Sequence, residues 1–407
     1  MKILFVHQNF PAQFKHLAPA LAGEPGNTVV ALNLGRDSRW RTIRIAGYEV
    51  QPPDAIRGLH PWLEDLNVKL MRAEAAGRRA IELREAGFTP DVILAHPGWG
   101  EALLLKEVWP RARLALFCEF YYHAEGGDVG FDPEFPSTPD SFASAARIKF
   151  KNANQLLSFE DACRGLSPTQ WQRSQYPGRL QPMIDVIHDG IDTQALRANR
   201  GVKMTLNKQL TLTRSDEIIT FVNRNLEPYR GYHVFMRALP EILSRRPRAR
   251  VILVGGNDVS YGARPPAGKS WRDIFLDEVR DRLDLSRVHF VGKLRYPDFV
   301  QLLQLSAAHV YLTYPFVLSW SLLEAMSVGC PIVASQTAPV EEALEHRENA
   351  LLFDFFDRRG LADAVCALLE DRALGERLGA AARTSVVERY DLHTRCLPAQ
   401  LEWVRGL

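Results

Sequence analysis

The chain has 407 residues, 46% apolar and 24% charged, and its 50 Lys and Arg against 48 Asp and Glu give a net charge of +2. That length exceeds one ordinary domain, and that balance supports full hydrophobic cores. The near-neutral charge excludes a general pull toward nucleic acid, and five scattered cysteines without CxxC, HExxH or DxD exclude the common zinc, redox and acidic metal signatures.

No apolar run approaches the roughly 18 residues of a membrane span. The opening MKILFVHQNF has one Lys and a short apolar run before His7, so residues 2–6 read as a first buried strand and not as a signal peptide. A cytoplasmic protein is expected, with peripheral contact to the inner membrane face as an option. In chain order the pattern predicts a helix over 11–21, a strand over 28–33, a long helix over 62–85 and strands over 91–96 and 113–120. The apolar runs 155–159 and 184–192 close this half. Residues 193–214 have little apolar patterning and make the best boundary, dividing the chain into domains 1–195 and 208–390, with a tail helix over 391–407. The pattern then restarts: strand 217–224, helix 231–243, strand 249–256, strand 287–293, a helix near 297–305, strand 309–315 and strand 350–355. Strands alternating with helices imply an α/β fold with parallel sheets covered on both faces, here as two Rossmann-like domains facing across a central cleft.

The stretch YPFVLSWSLLEAMSVGCPIVAS (314–335) reads as strand end, loop, helix, glycine stop and strand. The helix is expected to begin at Ser319, and Gly329 falls where a C-terminal cap belongs. Its first backbone N–H groups, at Leu318, Ser319, Trp320 and Ser321, then face the C-terminal edge of a parallel sheet, where an anion is favoured. Glu324, about one and a half turns further in, can accept two hydrogen bonds from a vicinal diol such as a ribose. It can equally be a partnered structural acid. In FVNRNLEPYRG, Arg224 follows a strand and Arg230 precedes a helix, so both are placed at the same sheet edge, where planar guanidinium donors suit a diphosphate. Gly255, after the strand VILV, belongs to that edge too. The alternative for the arginines is two solvated loop cations.

Taken in order, these motifs resemble a GT-B glycosyltransferase of the retaining, nucleotide-sugar-dependent GT4 type. IHDGID, RNLEPYRG, VGK (291–293), SLLEAMSVGCPIVAS, EHRENALLFD and the C-terminal YDLHTRCLPAQLEWV, which resembles the tail helix that crosses back to the first domain, carry the resemblance over nearly the whole chain. It implies that Glu324 holds ribose, the N–H groups at 318–321 hold the diphosphate, Arg224 and Arg230 neutralise the leaving nucleotide, and Leu294 lies near the base. It also implies transfer to an acceptor hydroxyl without a metal or other cofactor. The donor is a nucleotide diphosphate sugar, and the acceptor a glycan, a lipid-linked molecule or a small molecule.

Several positions depart from the family pattern. The family's E-x7-E would place an acid at Phe316, which cannot accept a hydrogen bond from a sugar but can stack on one. Three readings follow: a donor held differently, a nucleotide site without transfer, or an offset in which Glu341 or Glu342 serves. Arg230 stands in place of a lysine. HQNFPAQF replaces a glycine-rich first turn, which makes Asn9, Phe10 and Gln13 candidates there, and Glu119 occupies a usual histidine position. The loop EFYYHAEGGDVGFDPEFP (119–136) mixes aromatics, acids and glycines. It is expected to be an acceptor or lid loop, with Glu119, Tyr121, Tyr122, His123 and strand-end His96 as acceptor-side candidates; a packed surface loop is the other reading. The rival functions are a nucleotide-sugar 2-epimerase of the same fold and a non-catalytic nucleotide- or sugar-binding module.

Overall fold

The computed structural model describes residues 1–50, 58–136, 140–206 and 210–407. The chain forms two units: Met1–Gly130, Pro136–Gly190 and His393–Leu407 make unit 1, while Phe131–Phe135 and Ile191–Leu392 make unit 2. Residue 208, the expected start of the second domain, lies outside the described residues.

Unit 1 contains strands β1 (Lys2–Val6), β2 (Thr28–Leu34), β3 (Ser38–Trp40), β4 (Ile43–Tyr48), β5 (Val92–Ala95), β6 (Arg113–Phe117), β7 (Ala162–Ser167) and β8 (Ile184–Val186). They form one sheet in the order β3-β4-β2-β1-β5-β6-β7-β8. Every pair is parallel except β3 with β4. The period of two along β1 builds two cores: Leu4 and Val6 enter one, Ile3 and Phe5 the other. Val404 and Leu407, in or just after the C-terminal helix Leu397–Arg405, close the second core.

Unit 2 opens with an antiparallel pair, β9 (Lys203–Leu206) and β10 (Leu210–Thr213). Its main sheet comprises β11 (Ile218–Asn225), β12 (Arg250–Gly256), β13 (Val288–Gly292), β14 (Ala308–Tyr311), β15 (Ile332–Ser335) and β16 (Leu351–Phe353). Their order is β13-β12-β11-β14-β15-β16, all parallel. Both units therefore reverse strand order at one place, β1/β5 in unit 1 and β11/β14 in unit 2. The loops leaving the carboxyl ends of such neighbours diverge and leave a crevice, which is where open α/β sheets bind ligands.

Three expectations change. Residues 155–159 lie in the helix Ala153–Asp161, and the strand is the following β7. The buried residues Asn154, Gln155, Ser158 and Phe159 share one helical face, and because three are polar the apolar run alone misleads. Their polar groups are satisfied internally; Gln155 Nε2, for example, donates to the Phe120 carbonyl at 3.0 Å. The boundary 193–214 contains the β9/β10 pair, whose Met204 and Leu212 are buried. Strands β3 and β4 had no counterpart in the sequence reading.

Three histidines are buried neutral. Burial, with a smaller push from His96, lowers His7 to about 3. Burial likewise lowers His188 to about 3 and His309 to about 4. The unfolded chain protonates these imidazoles below their usual 6.5 and the folded one does not, so each contributes stability that is complete above pH 6.5 and falls as pH drops toward 4. Each should remove about 1.4 kcal/mol per pH unit within that window. Urea unfolding at a series of pH values between 7.5 and 4.5 checks this, and a flat profile down to pH 5 would contradict it.

Candidate active site

In unit 2 the loop after β14, residues 312–319, leads into the helix Trp320–Ser327. Ser319 caps it, its Oγ accepting the Ser321 N–H at 3.3 Å, and Gly329 ends it with a φ of +72°. Glu324 lies buried on this helix and its Oε1 accepts a hydrogen bond from the Tyr296 hydroxyl at 2.8 Å. Tyr296 opens the helix after β13; its own burial, then the charge of Glu324, pushes its phenol up.

The loop after β11 turns through Pro228–Arg230 and Gly231. Gly231 has a φ of +69°, and a Cβ there would sit 2.3 Å from Leu312 Cβ, so only glycine lets the turn reach the β14 loop. That approach buries Arg230, which is 8% exposed. Its Nη1 donates to Thr313 Oγ1 at 2.7 Å and to the Val317 carbonyl at 3.4 Å. Its guanidinium carbon lies 5.4 Å from the Tyr261 ring centre and 5.7 Å from that of Phe316. Among the described residues no carboxylate pairs with it at ion-pair distance. Glu227 is nearby and buried, accepting the N–H groups of Ser260 at 2.7 Å and Tyr261 at 3.3 Å. Burial pushes its carboxyl up, against those bonds and the charges of Arg230 and Arg224.

The expected donor residues thus share one sheet edge, with differences in role. Arg224 is exposed at the end of β11, whereas Arg230 is not the solvated cation that the alternative reading required. Phe316 is 4% exposed and packs on Tyr229 and Tyr261 at 5.2 and 5.0 Å, so it is not open for stacking on a sugar. Of the N–H groups at 318–321, that of Ser319 already donates to the Tyr311 hydroxyl at 3.0 Å and that of Ser321 to the cap. Leu318 and Leu294 pack against the core of unit 2. Trp320 is half-buried at the helix start. Gly255 is explained by packing, since a Cβ would meet Leu226 Cδ2 at 3.0 Å. Glu341 is exposed and bound by Gln336, and Glu342 is half-buried. Tyr296, Tyr311, Thr313, Glu227 and Tyr261 were not singled out in the sequence. Glu227, two residues before Tyr229 inside RNLEPYRG, carried the one available signal, an acid in an otherwise basic loop.

In unit 1 the ends of β1, β5 and β6 bring His7, His96 and Glu119 together. His96 Nδ1 accepts the Gly98 N–H at 3.1 Å, which leaves Nε2–H facing Glu119 Oε2 at 3.2 Å. Gln13 Nε2 donates to Glu119 Oε1 at 2.6 Å. Burial works to raise the Glu119 carboxyl, but the hydrogen bond and charge of His96, then Gln13, hold it below its usual range. His7 Nδ1 accepts the Asn9 N–H at 2.9 Å, and its ring lies 5.3 Å from that of His96. Asn9 is exposed. Phe10 is a core residue, packed on Phe5 and Trp40, and not an open contact. Tyr121 packs on Tyr176 and His123, Tyr122 lies under Lys151 Nζ at 3.6 Å, and His123 Nε2 donates to the Gln175 carbonyl at 2.7 Å. These three are therefore engaged by the protein itself.

The expected lid loop is divided. Phe131–Phe135 belongs to unit 2, where Phe131 packs on Tyr314 at 5.1 Å and Phe135 on His233 at 5.3 Å. Its aromatics are spent on protein contacts and not offered to a sugar. Asp132, Glu134 and His233 hold ligand atoms within 4.8 Å of one another. Both Glu134 oxygens bind Arg237, at 2.6 and 2.7 Å, and His233 Nε2 binds Asp132, so this group is an internal anchor.

The profile of the Glycosyl transferase family 4 group matches residues 25–196, and that of the Glycosyl transferases group 1 matches residues 203–385. The chain belongs to the family 4 glycosyltransferases. This glycosyltransferase is 24% identical over 326 residues to GDP-mannose-dependent alpha-(1-6)-phosphatidylinositol monomannoside mannosyltransferase of Mycobacterium tuberculosis, covering 76% of this chain and 75% of that protein. It is 30% identical over 205 residues to D-inositol 3-phosphate glycosyltransferase of Nocardia farcinica, covering 50% of this chain and 43% of that one. That second match spans less than half of the relative's length. Among solved structures, sucrose-phosphate synthase from Thermosynechococcus elongatus has a TM-score of 0.75 at 16% identity, covering 100% of this chain and 98% of that one. Anabaena HepE in complex with UDP and glucose has a TM-score of 0.67 at 19% identity, with both chains covered completely, 100% and 100%. At these identities the structures speak for the fold, which is GT-B. Among the described residues no helix is long and apolar enough to cross a membrane.

Proposed function

We propose that this glycosyltransferase moves a sugar from a nucleoside diphosphate to an acceptor hydroxyl, with retention and without a metal ion. The observation that carries the reading is the buried Arg230 guanidinium, held by a hydroxyl and a carbonyl with no carboxylate pairing among the described residues, beside the capped helix that bears Glu324. The charge of Arg230 is met by neutral acceptors and, at longer range, by Glu227, which leaves donor capacity for an arriving anion. A departing diphosphate is such an anion, and fixed cations that meet charge as it develops are the largest stabilisation available without a metal. Glu324 then takes the ribose diol next to the phosphates. HepE was solved with UDP and glucose, and the mycobacterial relative is named for GDP-mannose, which supports a hexose donor on UDP or GDP. Inositol-based names among the relatives support a polyol or a lipid-linked polyol as acceptor.

Thermal shift with UDP, GDP, ADP and dTDP, followed by labelled sugars of the nucleotide that binds, tests the proposal. Nucleotide release with the label in an acceptor, α-linked from an α-donor in the presence of EDTA, is the expected result. Label returned on the nucleotide as an epimer, or binding without turnover on any acceptor, would overturn transfer. Inversion or EDTA sensitivity would overturn the corresponding half of the mechanism.

A further inference from the structure

We propose that Asp132 is a positioning residue for the donor loop of unit 2 and acts through Tyr314. The inference rests on the donor-site reading above. Asp132 comes from the middle of unit 1's sequence, on the five-residue segment Phe131–Phe135 that the chain lends to unit 2. Gly126 and Gly130, both with left-handed φ of +73° and +70°, precede this segment and allow the sharp turns into it. Asp132 is 3% exposed, and both of its carboxylate oxygens accept hydrogen bonds. Oδ2 accepts the Tyr314 hydroxyl at 2.8 Å and His233 Nε2 at 2.9 Å, while Oδ1 accepts the Glu134 N–H at 2.9 Å.

Tyr314 is the connection to the donor site. It sits in the β14 loop between Thr313, which holds Arg230, and Phe316, which packs beside that guanidinium. Its N–H donates to the Tyr229 carbonyl at 3.1 Å and its ring lies 4.8 Å from that of Tyr229. Tyr229 immediately precedes Arg230. One buried carboxylate therefore fixes the tyrosine that joins the two loops at the β11/β14 reversal. A buried phenol that loses its carboxylate acceptor is left unsatisfied, a cost that loosening of the loop would relieve. Glu134 serves as a comparison within the same segment: its side chain anchors Phe131–Phe135 to Arg237, without touching Tyr314.

The test compares Asp132→Asn, Tyr314→Phe, the double variant and Glu134→Gln in the full chain. UDP and GDP affinity is measured by calorimetry, with amide exchange across residues 312–321. Asp132→Asn and Tyr314→Phe should each weaken nucleotide binding about tenfold and raise exchange at 312–321. Asp132→Asn leaves one acceptor oxygen for the donors of Tyr314, His233 and Glu134, so the double variant should do no more than Asp132→Asn alone. Glu134→Gln should leave affinity unchanged, whatever it does to the melting temperature. Wild-type affinity and exchange in a folded Asp132→Asn protein would overturn the proposal, as would an equal loss in Glu134→Gln. Should Asp132→Asn not fold, Tyr314→Phe decides by the same two measurements. If the wild-type protein binds no nucleoside diphosphate, the donor-site reading falls, and exchange at 312–321 alone then decides the role of Asp132.

Discussion

Replacing Glu324 with alanine is expected to weaken nucleoside diphosphate binding by about 10- to 100-fold, the loss appropriate to hydrogen bonds on a charged acceptor. The buried carboxylate stands on the helix whose start is capped by Ser319, and its Oε1 accepts the Tyr296 hydroxyl. Tyr296 is itself 55% exposed, so its hydroxyl returns to water once the carboxylate is gone. Calorimetric titration of Glu324→Ala with UDP and GDP, beside Glu324→Gln to preserve shape, reads the effect. Undiminished affinity in a folded variant would remove Glu324 from the donor site.

The two arginines should separate. Arg230→Ala is expected to lower turnover about a hundredfold or more, as loss of one fixed donor at a charge-developing centre does. It should also cost about 1–3 kcal/mol of stability, since Thr313 and the Val317 carbonyl lose a buried partner. Arg230→Lys keeps the charge but loses the planar fork, so it should recover only part of the rate. Arg224→Ala removes an exposed side chain, and its stability should stay within about 0.5 kcal/mol of wild type while turnover falls. Turnover per folded molecule together with urea unfolding separates these outcomes. Unchanged turnover in folded Arg230→Ala would reduce Arg230 to a packing residue, and unchanged turnover in Arg224→Ala would remove that residue from the mechanism.

Much of unit 2's site is local and was legible. Ser319 and Gly329 bracket the helix Trp320–Ser327 as cap and stop because each acts on the backbone within one turn of itself. Strands β11, β12 and β14 announce themselves as short apolar runs between polar loops. Phe316 was recognisable as a departure, and its buried setting supplies a reason: the ring is packed between two tyrosines and a guanidinium.

What the sequence determined by itself, then, was the alternation of strand and helix, the capped helix with its inward acid and the family to which these motifs belong. Those features depend on neighbours a few residues apart, and period and composition record them. Tertiary structure alone decided which arginine is buried, because Arg230 is enclosed by Thr313 and Val317 of the β14 loop, more than eighty residues later. It alone assigned Phe131–Phe135 to unit 2, through an Asp132–Tyr314 bond that spans 182 residues of chain. It also reassigned 155–159 to a helix, since burial of Asn154 and Gln155 is affordable only where distant carbonyls accept their amides. Burial and hydrogen-bond satisfaction are set by what arrives from elsewhere in the chain, and no local pattern encodes that arrival.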